Sequence, residues 1–341
     1  MGRAILARGL ACGALIAVVL SGAQAAGAQP RTASGVPLRP GLAAYDWHNA
    51  SELSPAETRR RLRFLSANGF RTVYLDLGDY LDVADQPVSE AQQARLRQLK
   101  QALRRYVAAA SSYGLAVHAV GGGPDWAHEE RRYLGAKVVQ LVAEYNLGVS
   151  ATERLRGVQL DIEPYLDPGF FADEQASLTA YLVTLQGIVD TYRPLRTDPA
   201  NLRLQLGFVI PFWFDGDDGA PGPVLFNGTT KPAAYHTIDM VADLPTAYVV
   251  VMSYRNFAPG TDGSIYHARR EFRYVRGVGA ACGLVIGQEY ANSAPPKITF
   301  HGLPRRTFQK AAYQIAFAFR DHPQFRGLSI HDLDSYMTAM E

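Results

Sequence analysis

Cysteine is nearly absent: Cys12 and Cys282 are the two among 341 residues. Cys12 precedes Ala25, so a chain trimmed at that alanine keeps one thiol and can close no internal disulfide. Cys282 lies within the apolar run 280–286 and reads as a small buried hydrophobe. An excess of one charge is missing too, with 34 Lys and Arg against 32 Asp and Glu. That balance gives no support to nucleic acid or an anionic membrane as partner. Long apolar runs are scarce. The stretch from Leu10 to Leu20 is too short to span a bilayer as a helix, so a polytopic membrane protein is excluded. A disordered chain is excluded by 48% apolar and 19% charged residues, since disorder needs few apolar residues and a large net charge. Several signatures are lacking: Gly-x-Gly-x-x-Gly after the first strand, His-Glu-x-x-His, Gly-x-Ser-x-Gly and the Walker loop. Neither a cofactor nor a metal is expected.

The N-terminus carries an export pattern. Arg3 and Arg8 supply a positive start, Leu10 to Leu20 an apolar core, and Ala23-Gln24-Ala25 a small-x-small cleavage site. Residues 1–25 are therefore expected to be a secretory signal peptide. A secreted or periplasmic protein would follow, with no membrane insertion after cleavage. Residues 26–40, rich in Gly, Pro, Ser and Ala, read as a flexible lead-in. No linker or composition break divides residues 41–341, which read as one catalytic domain and a monomer.

Beyond residue 41, short apolar runs alternate with helical periodicity. Strand candidates are 41–47, 72–77, 116–120, 157–162, 202–210, 248–254, 283–287 and 327–330. Helix candidates between them are 55–68, 90–113, 129–145, 173–192, 267–277 and 306–320. Short apolar strands joined by helical crossovers belong to a parallel sheet covered by helices. Eight such units predict an α/β fold of the (β/α)8 TIM-barrel type, with its active site at the C-terminal ends of the strands.

The fourth strand carries the densest chemistry, Gly157-Val-Gln-Leu-Asp161-Ile-Glu163-Pro164-Tyr165. Alternation sends Val158, Leu160 and Ile162 toward the helices. Gln159, Asp161 and Glu163 then face the barrel interior, with Glu163 nearest the open end. Inward polar groups are costly unless paired or used. Asp161 beside Glu163 should raise one pKa of the pair, as a general acid requires.

This segment resembles the fourth-strand motif of chitinase-like, family 18-like glycoside hydrolases, Asp-Gly-x-Asp-x-Asp-x-Glu. The resemblance implies that Glu163 protonates the glycosidic oxygen. It implies that Asp161 orients an N-acetyl group whose carbonyl is the internal nucleophile. Arg156 and Gln159 stand where that family has its first two acids. Met252-Ser-Tyr254 is similar to the family's Met-x-Tyr, which implies that Tyr254 contacts the reacting sugar. Gly121-Gly122 resembles its Gly-Gly turn. Glu163-Pro164 also resembles the Asn-Glu-Pro of the retaining cellulase-like clan, with Ile162 in place of Asn. That likeness implies a nucleophilic Glu at the seventh strand, which here ends in Glu289.

Other strand-end groups suit a sugar site: Asp46 and Trp47 after the first strand, Asp76 after the second, Trp213 after the fifth, and His331 and Asp332 after the eighth. With Gln159 and Tyr165 they form the expected substrate-binding set. His118 in the third strand reads as an interior histidine. The function expected is an exported glycoside hydrolase cleaving a polysaccharide or oligosaccharide. Glu163 is its acid/base, with either Glu289 or a substrate N-acetyl group assisted by Asp161 as the second group. The alternative is a carbohydrate-binding barrel that has lost catalysis.

Overall fold

A computed structural model describes residues 41–217 and 221–340. The expected signal peptide and lead-in, residues 1–40, lie outside the described residues. The first five strands are β1 (Gly41–Asp46), β2 (Phe70–Asp76), β3 (Ala116–Gly121), β4 (Gly157–Leu160) and β5 (Gln205–Pro211). A small antiparallel hairpin follows, β6 (Val224–Phe226) with β7 (Thr229–Lys231). The last three are β8 (Ala247–Met252), β9 (Gly283–Glu289) and β10 (Phe325–His331). All but the hairpin strands run parallel, and β1 pairs with both β2 and β10 to close an eight-stranded barrel. The chain is a (β/α)8 TIM barrel, as the alternation of strands and helices predicts.

The outer ring holds α1 (Pro55–Ala67), α2 (Gly78–Asp85), α3 (Glu90–Ser112), α4 (Tyr133–Leu147) and α5 (Glu174–Leu195). It continues with α6 (Ala233–Val241), α7 (Ser264–Gly277), α8 (Arg305–Phe319) and α9 (Leu333–Thr338). Start signals act where the sequence displays them. Ser54, Ser89 and Asp173 each accept a backbone N–H in the first turn of α1, α3 and α5. Helices α2, α6 and α9 and the hairpin are additions to the expected set. Helix α6 shows why: Ala233, Ala234, His236, Thr237, Ile238, Met240 and Val241 are all buried, so no polar face marks a period.

Two apolar layers meet at the sheet. Outward residues such as Val158, Leu160 and Ile162 pack under the helices. Tyr45, Tyr74, Val120, Val209, Tyr248, Val250, Met252 and Val285 fill the barrel itself. Bulk there is balanced by glycine: a Cβ on Gly157 would stand 2.4 Å from the His118 ring, and one on Gly207 would stand 2.4 Å from Tyr248. Polar groups inside the barrel bond one another. His118 Nδ1 and the Tyr248 hydroxyl are 2.9 Å apart, and Gln159 Nε2 donates to the same hydroxyl over 3.4 Å. Burial pushes the His118 pKa down to about 3, so the ring is neutral.

Candidate active site

The parity of β4 continues past its last paired residue. The Asp161 amide still donates to Gly121 O, over 3.0 Å. Ile162 is buried in the outer layer, while Asp161 and Glu163 occupy the alternate positions at the mouth. The neighbouring turn permits this course. A Cβ on Gly122 would lie 2.0 Å from the Asp161 carbonyl oxygen. The backbones therefore approach as only glycine allows.

Asp161 is held at high proton affinity. Burial and the Glu163 charge raise its pKa to about 7, against a smaller opposing pull from His331. Its Oδ1 is shut off from solvent and meets no hydrogen-bond partner. Glu163 is raised as well, by burial and then by the Glu289 charge. The Tyr165 hydroxyl donates to Glu163 Oε1 and pulls the other way, as does His331.

Across the mouth, Glu289 ends β9 and is buried. Its Oε1 accepts the Ala291 amide at 2.7 Å, and His331 Nδ1 lies 3.0–3.1 Å from both carboxylate oxygens. His331 in turn accepts from Trp47 Nε1 over 3.0 Å at its Nε2. That fixes the proton of the neutral ring on Nδ1, facing Glu289. Burial opposes charge on His331, but the Glu289 hydrogen bond and charge outweigh it and raise its pKa. Tyr254 lies partly buried beside this group, stacked 6.5 Å from His331, and desolvation with the Glu289 charge raises its hydroxyl pKa.

Aromatic walls complete the mouth. Trp47 is 40% exposed and stacks on Tyr45 at 5.6 Å. Trp213 stands edge-on to Tyr165 at 5.1 Å. Gln159 lies a level deeper, fully buried, with Oε1 unpartnered. Arg156 stands just before β4, at the opposite end of the barrel, and donates to Ala151 O.

Three expected ligand groups are disposed otherwise than a place in the mouth requires. Asp46 points outward, where Arg61 binds it through Nε and Nη2 at 3.0 and 2.7 Å and the Tyr106 hydroxyl donates to it. It is a buried tie between β1 and α1, and the expectation of a substrate contact is corrected. Asp332 caps α9, its Oδ1 accepting the Ser335 amide at 2.8 Å. That oxygen serves the helix as an N-cap rather than a sugar. Asp76 spends its oxygens on Asn49 Nδ2 and the Gly78 amide, in a cleft beside Gly121 and Trp126. Tyr45 is absent from the expected set, yet its buried ring lies near enough to Asp161 to feel its charge. Period two along Ala43, Tyr45 and Trp47 is the signal that finds it, and the same period sets Asp46 on the other face.

The class these features define is a (β/α)8 barrel whose mouth combines three carboxyl groups, a histidine and aromatic walls. No protein-family model and no curated protein matches the chain. Solved structures match it in fold. The exo-β-1,4-mannosidase Op5Man5 from Opitutaceae bacterium strain TAV5 aligns with a TM-score of 0.54 at 14% identity, over 89% of this chain and 53% of that one. The chain thus spans about half the length of the mannosidase. A GH18 chitinase from Cycas revoluta in complex with (GlcNAc)3 gives 0.47 at 12%, over 88% and 97%. A D-psicose 3-epimerase in the presence of D-fructose gives 0.45 at 14%, over 86% and 84%. At such identities the likeness establishes the barrel and leaves the chemistry to the site.

Proposed function

We propose that this protein is an exported glycoside hydrolase acting on a polysaccharide or oligosaccharide, with Glu163 as general acid/base and Glu289 as nucleophile. The observation that carries the reading is the contrast between the two carboxyl groups. Burial and the Glu289 charge raise the Glu163 pKa, the direction a general acid needs. The oxygens of Glu289 are aimed by the Ala291 amide and His331. A carboxyl of raised proton affinity suits the acid, and one whose oxygens are held in place suits the nucleophile. In the first step Glu163 protonates the glycosidic oxygen as Glu289 attacks the anomeric carbon. The leaving sugar departs with that proton. Glu163, now a carboxylate, takes a proton from water, which displaces Glu289 from the glycosyl-enzyme. Trp47 and Trp213 supply flat faces for the sugar rings.

One observation favours a second reading. The buried, unpartnered Oδ1 of Asp161 is an acceptor awaiting a donor, and an acetamide N–H would fit it. The substrate's own N-acetyl carbonyl would then replace Glu289 as nucleophile.

Screening on neutral and amino-sugar glycans separates these readings. Glu163→Gln should lower kcat by about 100- to 10,000-fold under either, the usual worth of general acid catalysis. Glu289→Ala should lose turnover and regain part of it with azide if Glu289 attacks. It should retain most of its rate, on acetamido sugars alone, if the substrate attacks itself. Sugar binding by the wild type with no cleavage of any glycan would leave a binding barrel instead.

A further inference from the structure

The near-neutral net charge conceals a strong segregation. Residues 264–320 hold nine Lys and Arg and two acids. The rest of the chain after residue 40 holds 21 Lys and Arg against 30 Asp and Glu. Neither acid in the basic segment reaches the outer surface: Glu271 is wholly buried and Glu289 lines the mouth. Burial and the Asp215 charge raise the Glu271 pKa well above the usual range. Helices α7 and α8, which pack side by side, carry no exposed carboxylate of their own; Asp217 pairs with Arg269 and Arg270 of α7, which leaves α8, among the described residues, as the face of unpaired cations.

The outer face of α8 is ordered along its length. Arg306, Lys310, Tyr313, Phe317 and Arg320 recur at steps of four, three, four and three. Helical geometry stacks residues at those steps on one face. The stripe is about 21 Å long at the usual helical rise. Tyr313 and Phe317 are 68% and 55% exposed, with rings stacked at 6.2 Å. The Arg320 guanidinium lies over the Phe317 face at 3.8 Å, a cation–π contact. Arg320 also approaches Asp321, just past the helix, at 3.5 Å. Among the described residues, no acid pairs with Arg306 or Lys310.

We infer that the α8 stripe is a binding surface for an anionic polysaccharide of the uronate class, separate from the barrel mouth. The exposed rings offer flat faces to sugar rings, and the cations on either side answer carboxylates along the polymer. A membrane suits the stripe less. A helix that lies in a lipid surface must bury its apolar side there. In α8 that side, with Phe308, Ala311, Ile315 and Phe319, is already buried in the barrel.

Electrophoresis of the whole protein through gels containing polygalacturonate tests this. Retardation is expected there and not in gels containing uncharged dextran. Arg306→Gln with Lys310→Gln should weaken binding about tenfold, the sum of two exposed charge contacts. Tyr313→Ser with Phe317→Ser should remove the binding that persists at high salt. These four positions lie outside the mouth, so cleavage of short soluble glycans should be unchanged, and a silent mouth would leave the retardation intact. No retardation by polygalacturonate, or retardation equal in wild type and both double variants, would overturn the inference. Binding to phosphatidylglycerol vesicles without binding to polygalacturonate would overturn it in favour of a lipid surface.

Discussion

Asp161 holds a proton near neutrality because burial strips its carboxylate of water and the Glu163 charge lies beside it. The consequence for stability has a definite sign. The unfolded chain releases this proton around pH 3.8, the folded one around 7. Between those values the unfolded state binds fewer protons, so this group's contribution makes the protein less stable as pH rises, and level beyond both ends. Asp161→Asn should abolish that slope. Urea midpoints at pH 4 and pH 7.5 for both proteins are the check, and an undiminished fall in the variant would assign it to another group. The same substitution removes a charge coupled to Glu163, so the two titrations no longer share a profile. The basic limb of kcat/KM, where the general acid loses its proton, should move to lower pH.

At the scale of elements, the tie between β1 and α1 replaces a sequence expectation. Arg61 is 3% exposed and Asp46 is wholly buried, which makes their bidentate contact a buried ion pair. Removing one partner of such a pair strands the other charge. Asp46→Ala should cost about 3 kcal/mol, at the low end of the range because Asp334 and Glu57 also approach Arg61. Activity per folded molecule should change little. A large loss of kcat/KM with an unaltered Tm would return Asp46 to the substrate site. The β3 turn and the end of β4 form a second coupled unit. Gly122 lets the chain pass close to Asp161, and the parity of β4 then carries Glu163 to the mouth.

For the whole molecule, composition averages hide what geometry separates. Acids prevail over most of the sequence that follows residue 40, and cations gather on the α7–α8 flank. The thiol of Cys282 is equally a matter of location: it is buried under the barrel wall, where burial pushes its pKa up to about 11. Export, as proposed, carries its own check. Mass spectrometry of the protein recovered outside the cytoplasm should find Ala26 at its N-terminus, after the Ala23-Gln24-Ala25 site. Recovery of residues 1–25 on the exported protein would refute cleavage there.

Period and punctuation in the sequence were enough to find the eight barrel strands and the six long helices. Alternation along β4 also separated Asp161 and Glu163 from their apolar neighbours. Those are local properties: a side chain's face follows from its place in the repeat, and caps follow from the residues beside them. The short helix α6 escaped because it is buried nearly all round, and α2 and α9 because about two turns or fewer are too short to display a period. Partnership was likewise beyond the sequence. Glu289 and His331 are 42 positions apart, and Trp47 and His331 284, yet they share one hydrogen-bonded group. Asp46 and Glu163 are both strand-end acids. Parity along each strand set their faces, and only the docking of α1 against β1 gave Asp46 its Arg61 partner while Glu163 stayed at the mouth.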